Sequence, residues 1–174
     1  RGTAPEAARD HIALVVALNE VSLRALIPNE LSKGFGLFLS KPNAAFTPVA
    51  VTPDELGEAW RDCKVHLPLR SEVNGERYGD PSGGESVFGF HQLLAYVAST
   101  RHLAAGTILS AGTVSNADEA RGASCVAERR VMEQLARGEA KTPWLKYGDR
   151  VRIDLIGPDG RSLCGAIDQQ VVPA

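Results

Sequence analysis

A carboxylate follows closely after an apolar run near the start of the chain. The run VVAL ends at Leu18, Asn19 and Glu20 come next, and Ser22 and Arg24 follow closely. Because burying a bare carboxylate is very costly, the Glu20 side chain must be solvated, paired or bound to a metal ion. A solvated strand end with a local Glu20–Arg24 ion pair is one interpretation, and such surface pairs contribute little stability. A metal ligand is the interpretation with chemical consequences.

Lys41 is the second candidate, because it lies between apolar residues and a proline in the stretch FLSKPNAAFTP. Lysine is ordinarily an exposed residue, and exposure alone would explain its presence. A lysine held in an ordered loop could instead stabilise the negative charge of an oxyanion or an enolate.

Two further spots contain polar groups that could contact a small molecule. The stretch LSAGTVSN offers the hydroxyls of Thr113 and Ser115 beside Gly112, where a ligand could approach the backbone. A tight turn would explain the same residues. Glu128, four positions after Ser124, could belong to a site or could simply support its helix.

The strands and turns that must position these residues follow from hydrophobic runs and turn chemistry. The sequence predicts strands at residues 12–18 and 45–51, a short strand within GTILSAGTVSN, and two final strands around a Pro-Asp-Gly turn. An ordered, irregular loop is predicted from residue 26 to residue 56, because glycine and proline are dense there. Asn74-Gly75 predicts a type I′ hairpin turn.

Helices are predicted where apolar residues recur at helical spacing or where capping residues occur. A short turn is expected at residues 5–10 with Thr3 as N-cap, and a capped turn is expected to begin at Pro53. Residues 88–100 predict an amphipathic helix. A second helix should begin after a cap at Ser124 and end before Gly138. We therefore expect a β-rich α+β domain with two short helices over residues 1–174.

Composition excludes several classes of partner and site. The 174 residues suffice for one domain, and the net charge of -2 makes nucleic acid and anionic membranes unexpected partners. No apolar run approaches a membrane span, and we expect no signal peptide. Three scattered cysteines predict free thiols, and the histidine spacing favours no zinc site. We expect a cytoplasmic protein.

Taken in order, the motifs resemble those of the fumarylacetoacetate hydrolase superfamily. The series is NEVSLR, SKGFGLFLSKPNAAFTPVAVTPDELG, VNGERYG, GTILSAGTVSN and GDRVRIDL, and it spans residues 10–172. The resemblance implies the C-terminal catalytic domain without its N-terminal part. It also implies a mixed β-sandwich roll, a homodimer, and a divalent metal, with Mg²⁺ favoured over Mn²⁺ or Ca²⁺.

The resemblance implies roles for individual residues. Glu20 stands where the family has a metal-ligating aspartate, and Lys41 matches the lysine that stabilises negative charge. Thr113, with Gly112 and Ser115 in its turn, matches a substrate contact. Glu128 matches the glutamate that orients a catalytic histidine in hydrolytic members.

The family's other parts have no match in this sequence. Its Glu-x-Glu metal-ligand strand and its catalytic histidine lie upstream of the family region that matches residue 1. The resemblance implies hydrolysis of a carbon–carbon bond in diketo acids of the fumarylacetoacetate or acylpyruvate type, in the catabolism of aromatic compounds. Oxaloacetate decarboxylation or keto-acid isomerisation or hydration stays open as an alternative. An inactive fragment serving as a structural or dimerisation module is the third interpretation.

Overall fold

The structure is a computed structural model that describes residues 1–173. Its helices and strands are α1 (Pro5–Ala8), β1 (Leu18–Asn19), α2 (Ile27–Ser32), β2 (Ala45–Phe46), β3 (Trp60–Arg61), β4 (Lys64–Val65), β5 (Leu69–Val73), β6 (Glu76–Gly79), α3 (Phe90–Ala98), α4 (Val126–Arg137), β7 (Arg150–Leu155) and β8 (Ile167–Gln170). Short 3₁₀ helices lie at Arg9–His11, Pro53–Ala59, Gly83–Glu85 and Glu119–Arg121. Several small sheets and few helices confirm the predicted β-rich α+β class.

The largest sheet has the strand order β6-β5-β7-β8, and every neighbouring pair is antiparallel. Asn74 and Gly75 join β5 to β6 with φ angles of 55° and 80°. Both values lie in the left-handed region that a type I′ turn requires, so the predicted hairpin is confirmed. The register shifts at Ser71 and leaves Tyr78 as an extra residue on β6, which makes a β-bulge.

One hydrophobic core lies beside this sheet. Its buried members are Val15, Leu56, Ala59, Val65, Leu67, Leu155 and Cys164. The partly buried Trp60 and Phe90 rings stack 6.2 Å apart against it, so the N-terminus of α3 joins the same core. Each large apolar side chain buried in this way contributes about 1.5–3 kcal/mol.

The predicted strand over residues 12–18 is largely wrong. Val15 forms an isolated bridge with Val51, and a regular strand exists only at β1, which pairs with β2. Between these two pairings, the first segment has two residues, 16 and 17, whereas the second has four, 47–50, so a continuous ladder cannot form. The longer segment also contains Pro48, which has no N–H to donate. The same mismatch interrupts the strand predicted over residues 45–51.

Four other local predictions need correction. Residues 106–116 form no strand, and the region predicted to be irregular contains α2. Ala4 rather than Thr3 precedes α1 and forms no side-chain cap. Cys125 rather than Ser124 caps α4, because its sulfur accepts a hydrogen bond from the Glu128 N–H.

The remaining predictions hold in their main features. The helix predicted over residues 88–100 is α3, and Gly138 ends α4 in the left-handed conformation. Pro53 begins a 3₁₀ helix, which is kinked at Gly57. β7 and β8 flank the predicted Pro-Asp-Gly turn. Within residues 1–173, no helix is both long and apolar enough to cross a membrane.

Candidate functional site

Lys41, Ser22 and Glu20 form one hydrogen-bonded group, here called the lysine cluster. The Lys41 ammonium donates to the Ser22 hydroxyl at 2.8 Å and lies 3.3 Å from Glu20 Oε2. The Lys41 side chain is 27% exposed and the Glu20 side chain 45%. Glu20 is therefore a paired carboxylate, and its basic partner comes from 21 positions further along the chain.

The end of β1 fixes the position of Glu20. β1 pairs with β2, and the Asn19 amide donates to the side-chain oxygen of Gln169 on β8 at 3.0 Å. Glu20 follows immediately, so its carboxylate leaves the sheet at a defined point. The Ser22 hydroxyl donates back to the Glu20 carbonyl at 3.4 Å, which keeps this short segment folded.

The alternative partner for Glu20, Arg24, is engaged elsewhere. Its guanidinium lies 5.1 Å from the centre of the Trp144 ring, and that of Arg130 lies 4.6 Å from the same centre. The hypothesis of a Glu20–Arg24 pair is therefore wrong. Trp144 instead connects the segment after Glu20 to α4 through two cation–π contacts. No spacing in the sequence indicates this role of Trp144.

Gly112, Thr113 and Ser115 lie together in an exposed loop beside the start of α4. Gly112 has a φ of 81°, which suits glycine, and the Thr113 hydroxyl lies 3.8 Å from the Cys125 sulfur. The loop is anchored nearby, because the Asn116 amide bonds both the N–H and the carbonyl of Ser82 at 2.9 Å. Thr113 and Ser115 are therefore exposed residues of an anchored loop, and their contact with a substrate stays a prediction.

Glu128 uses its carboxylate to hold the start of its own helix. Oε2 accepts a hydrogen bond from the Ser124 N–H at 2.8 Å, while the Glu128 N–H donates to the Cys125 sulfur at 3.3 Å. This reciprocal arrangement resembles a capping box. Of the two interpretations left open by the sequence, helix support is therefore realised. The orientation of a histidine by Glu128 stays a prediction.

The two groups of candidate residues do not contact each other directly. Throughout residues 1–173, no hydrogen bond or ion pair joins Glu20 or Lys41 to Thr113 or Glu128, and none joins a histidine to any of them. Two cavities, of about 260 and 190 Å³, are lined by other residues. Glu20, Thr113 and Ser115 are exposed, whereas Lys41 and Glu128 are partly buried.

The described residues do not supply a complete divalent-metal site. No group of three or more His, Cys, Asp and Glu side chains in this part of the chain is arranged to hold an ion. Mg²⁺, Mn²⁺ and Ca²⁺ need about six or more oxygen ligands, of which Glu20 would contribute one or two. Its carboxylate is also paired with Lys41. These residues alone do not fit the metal that the family resemblance implies.

Sequence reasoning missed Glu30, whose carboxylate organises the loop that leads to Lys41. Oε2 accepts from the Ser40 hydroxyl at 2.5 Å and from the N–H groups of Ser40 and Phe38 at 3.1 Å each. Oε1 accepts from the Leu39 N–H at 2.6 Å. The Ser40 hydroxyl, helped by these N–H groups, lowers the Glu30 pKa to about 2. We call this arrangement the Glu30 clasp.

The comparison with protein families identifies the class of the chain. The model described as the C-terminal part of fumarylacetoacetate hydrolase matches residues 1–172. The chain therefore belongs to the fumarylacetoacetate hydrolase family, whose members are generally hydrolases or related enzymes. The prediction made from the ordered motifs is confirmed. Among curated proteins, none matches the sequence significantly.

Solved structures show the same fold. A fumarylacetoacetate hydrolase from the psychrophile Exiguobacterium antarcticum is 20% identical, with a TM-score of 0.67 over 100% of this chain and 52% of that one. A candidate fumarylpyruvate hydrolase from Burkholderia cenocepacia is 16% identical, with a TM-score of 0.60 over 99% and 61%. A candidate family member from Yersinia pestis is 16% identical, with a TM-score of 0.59 over 99% and 66%. The chain thus spans between half and two-thirds of each solved protein.

Proposed function

We propose that this chain contributes the lysine-bearing part of a site that hydrolyses a carbon–carbon bond in a diketo acid of the fumarylacetoacetate or acylpyruvate type. The supporting observation is the lysine cluster. A partly exposed ammonium, 2.8 Å from Ser22 and 3.3 Å from Glu20, can exchange a protein partner for a substrate oxygen.

The chemistry requires stabilisation of negative charge at a defined point. Water gives one proton to a base from outside the described residues, and its oxygen bonds to the carbonyl carbon. The bond from that carbon to the adjacent carbon then breaks, and the attacked carbon leaves as a carboxylic acid. The electron pair stays on the keto-acid fragment as an enolate, which then takes a proton from solvent. We assign Lys41 to the enolate oxygen, where a fixed ammonium lowers the barrier. Thr113, beside Gly112 and Ser115, is the proposed substrate contact.

The proposal extends to a cofactor and to partners, because the chain belongs to this family and spans only part of the solved family members. A divalent metal, Mg²⁺ first, would need oxygen ligands from outside this chain, with Glu20 as one member of the set. Such an ion, if bound, would supply Lewis-acid polarisation of a keto-acid oxygen. A keto-acid substrate, homodimeric assembly, a cytoplasmic location and a role in aromatic catabolism belong to the same proposal.

Decarboxylation or isomerisation of a keto acid is the second candidate function. The observation that supports it is the same lysine cluster, with the Lys41 ammonium 2.8 Å from Ser22 and 3.3 Å from Glu20. Loss of carbon dioxide from an oxaloacetate-type acid also leaves an enolate, which Lys41 could stabilise. Unlike hydrolysis, this reaction needs no base to activate water.

A substrate panel separates these candidates. The longest natural polypeptide that contains this chain is assayed with Mg²⁺ against acetylpyruvate, by loss of the enol absorbance, and against oxaloacetate, by release of pyruvate. Faster cleavage of acetylpyruvate supports the hydrolase, and faster release of pyruvate supports the decarboxylase. Inactivity towards both would contradict the enzyme proposal. The chain would then be better explained as a structural or dimerisation module, because the one carboxylate of the lysine cluster is too few ligands for a divalent metal.

A further inference from the structure

We propose that Glu30 is a positioning residue for Lys41, acting through the turn of residues 38–40; its catalytic consequence rests on the proposed function. Glu30 does not touch the lysine cluster. Its carboxylate binds three consecutive backbone N–H groups and one hydroxyl, and the last residue so bound is the immediate neighbour of Lys41.

The turn is fixed from two sides. Glu30 holds Ser40 from α2, while the Ser40 carbonyl accepts a hydrogen bond from the Leu23 N–H at 2.9 Å. Leu23 is adjacent to Ser22, the residue that accepts from the Lys41 ammonium. The Lys41 N–H donates to the Phe38 carbonyl at 3.2 Å. Backbone and side chain of Lys41 therefore both depend on the conformation that Glu30 maintains.

Apolar packing does not replace the clasp in this loop. Phe35 is 86% exposed, Phe38 is 72% exposed and Leu39 is 69% exposed. Since side chains this exposed gain little from burial, the order of the loop depends on its hydrogen bonds. Hydrogen bonds to a charged acceptor are roughly twice as strong as those between neutral groups, so the charge of Glu30 matters as well as its shape.

A second carboxylate in the molecule provides a matched control. Glu133 on α4 accepts from the N–H groups of Lys141 and Thr142 at 2.7 and 2.8 Å and from the Thr142 hydroxyl at 2.5 Å. The chemistry of this Glu133 clasp repeats that of Glu30. The loop that Glu133 holds leads to Trp144 and not to Lys41, so this carboxylate can serve as the control.

The test compares Glu30→Gln with Glu133→Gln. Each substitution preserves size but removes the charge and half of the acceptor capacity. The 174-residue chain is treated with a small excess of an acetylating reagent at constant pH. Mass spectrometry then gives the reaction rate of Lys41 relative to Lys64 in the same sample.

Glu30→Gln should raise the relative rate of Lys41 roughly tenfold, the lower end of what loss of a charged hydrogen bond produces. Glu133→Gln should leave it unchanged. Equal rates for Lys41 in the two variants would overturn the proposal. If Glu30→Gln fails to fold, Ser40→Ala removes one of the four donors, and it should give a smaller increase in the same rate. An unchanged rate in that variant would be equally decisive against the proposal.

A kinetic measurement separates this proposal from the proposed function. In the longest natural polypeptide, Glu30→Gln should lower kcat for the cleaved keto acid with little change in KM, and Glu133→Gln should change neither. A kcat equal to that of the wild type would overturn the positioning role while leaving the proposed function intact. If the wild type cleaves no keto acid, the proposed function fails, and the acetylation rates alone decide whether Glu30 positions Lys41.

Discussion

The lysine cluster and the start of α4 both contain a predicted functional carboxylate, yet the two carboxylates are bonded differently. Glu20 pairs with the Lys41 ammonium, which also donates to the Ser22 hydroxyl. Glu128 accepts from the Ser124 backbone N–H. Glu20 is therefore paired with an ammonium that can exchange it for a substrate oxygen. Glu128 instead provides the acceptor for a backbone N–H at the start of α4.

This difference gives a criterion for weighing the candidate residues. A backbone N–H at a helix start needs an acceptor in every folded molecule, so its partner is required for stability. An ammonium paired at a partly exposed position can change partners at little cost, because such pairs are weak. We therefore expect substitutions at Lys41 to affect mainly activity and substitutions at Glu128 to affect mainly stability.

The largest expected effect is on turnover. Lys41→Met keeps the aliphatic stem and removes the charge, and loss of one such stabilising group typically lowers the rate by about 10²–10³. Steady-state kinetics of the longest natural polypeptide with its best keto acid measures this effect. Lys33→Met, an exposed lysine in the same loop, is the control and should retain wild-type turnover. Normal turnover in Lys41→Met would rule out charge stabilisation by Lys41.

The next effect is on stability at α4. Glu128→Ala removes a helix-start acceptor and should lower the free energy of unfolding by about 1 kcal/mol. For a chain of this size, that corresponds to a Tm decrease of roughly 2–4 °C. Glu128→Gln retains one acceptor oxygen and should fall between the wild type and Glu128→Ala. A large loss of kcat in Glu128→Gln with unchanged Tm would instead support the role of Glu128 in orienting a histidine.

A smaller effect is expected on the pH dependence of stability. The Ser40 hydroxyl and the N–H groups of the clasp lower the pKa of Glu30 from 4.5 to about 2 in the folded chain. Between these values the unfolded chain binds more protons at this site. The stabilisation is therefore complete above about pH 5 and is lost as the pH falls towards 2.

Thermal unfolding of wild type and Glu30→Gln across this pH range checks the direction. The Tm of the wild type should fall more steeply on acidification than that of the variant, which has no carboxyl group to protonate at position 30. Parallel curves would show that the Glu30 pKa is the same in the folded and unfolded chains.

The smallest expected effect is that of metal on this chain alone. With Glu20 as the one implied ligand present, 1 mM Mn²⁺ should not change the Tm, because a poor oxygen site binds in roughly the millimolar range. A Kd of about 10 μM would instead give about 2.7 kcal/mol of stabilisation at this concentration. A rise of several degrees that disappears in Glu20→Gln would establish a competent metal site within these residues.

The sequence predicted correctly those turns and helices whose conformation is determined by residues adjacent in the chain. Asn74-Gly75 specifies its turn because both residues tolerate positive φ, and α3 follows from apolar spacing. The strand at residues 12–18 failed because its pairing depends on a distant segment that contains Pro48. The strand expected within residues 106–116 is also absent, and no single contact among the described residues explains its absence.

Residues of the candidate site that lie in the family motifs could be predicted from the sequence, whereas Glu30 could not. The ordered motifs identified Lys41 and Glu20 separately, and the structure brings their side chains within 3.3 Å. Glu30 left no signal, because three of its four partners are backbone N–H groups eight to ten residues away. Every residue has a backbone N–H except proline, so such a partner cannot be recognised from residue type.

The exposed aromatic turn beside Lys41 also has a consequence for handling the protein. Phe35, Phe38 and Leu39 already face solvent, and the Glu30 carboxylate holds the backbone of Phe38 and Leu39 in one arrangement. Once acid protonates Glu30, a flexible apolar segment is free to adapt to the same segment of another molecule. Self-association in acid should therefore begin at this turn, and replacing Phe35 and Phe38 with serine should delay the onset of turbidity.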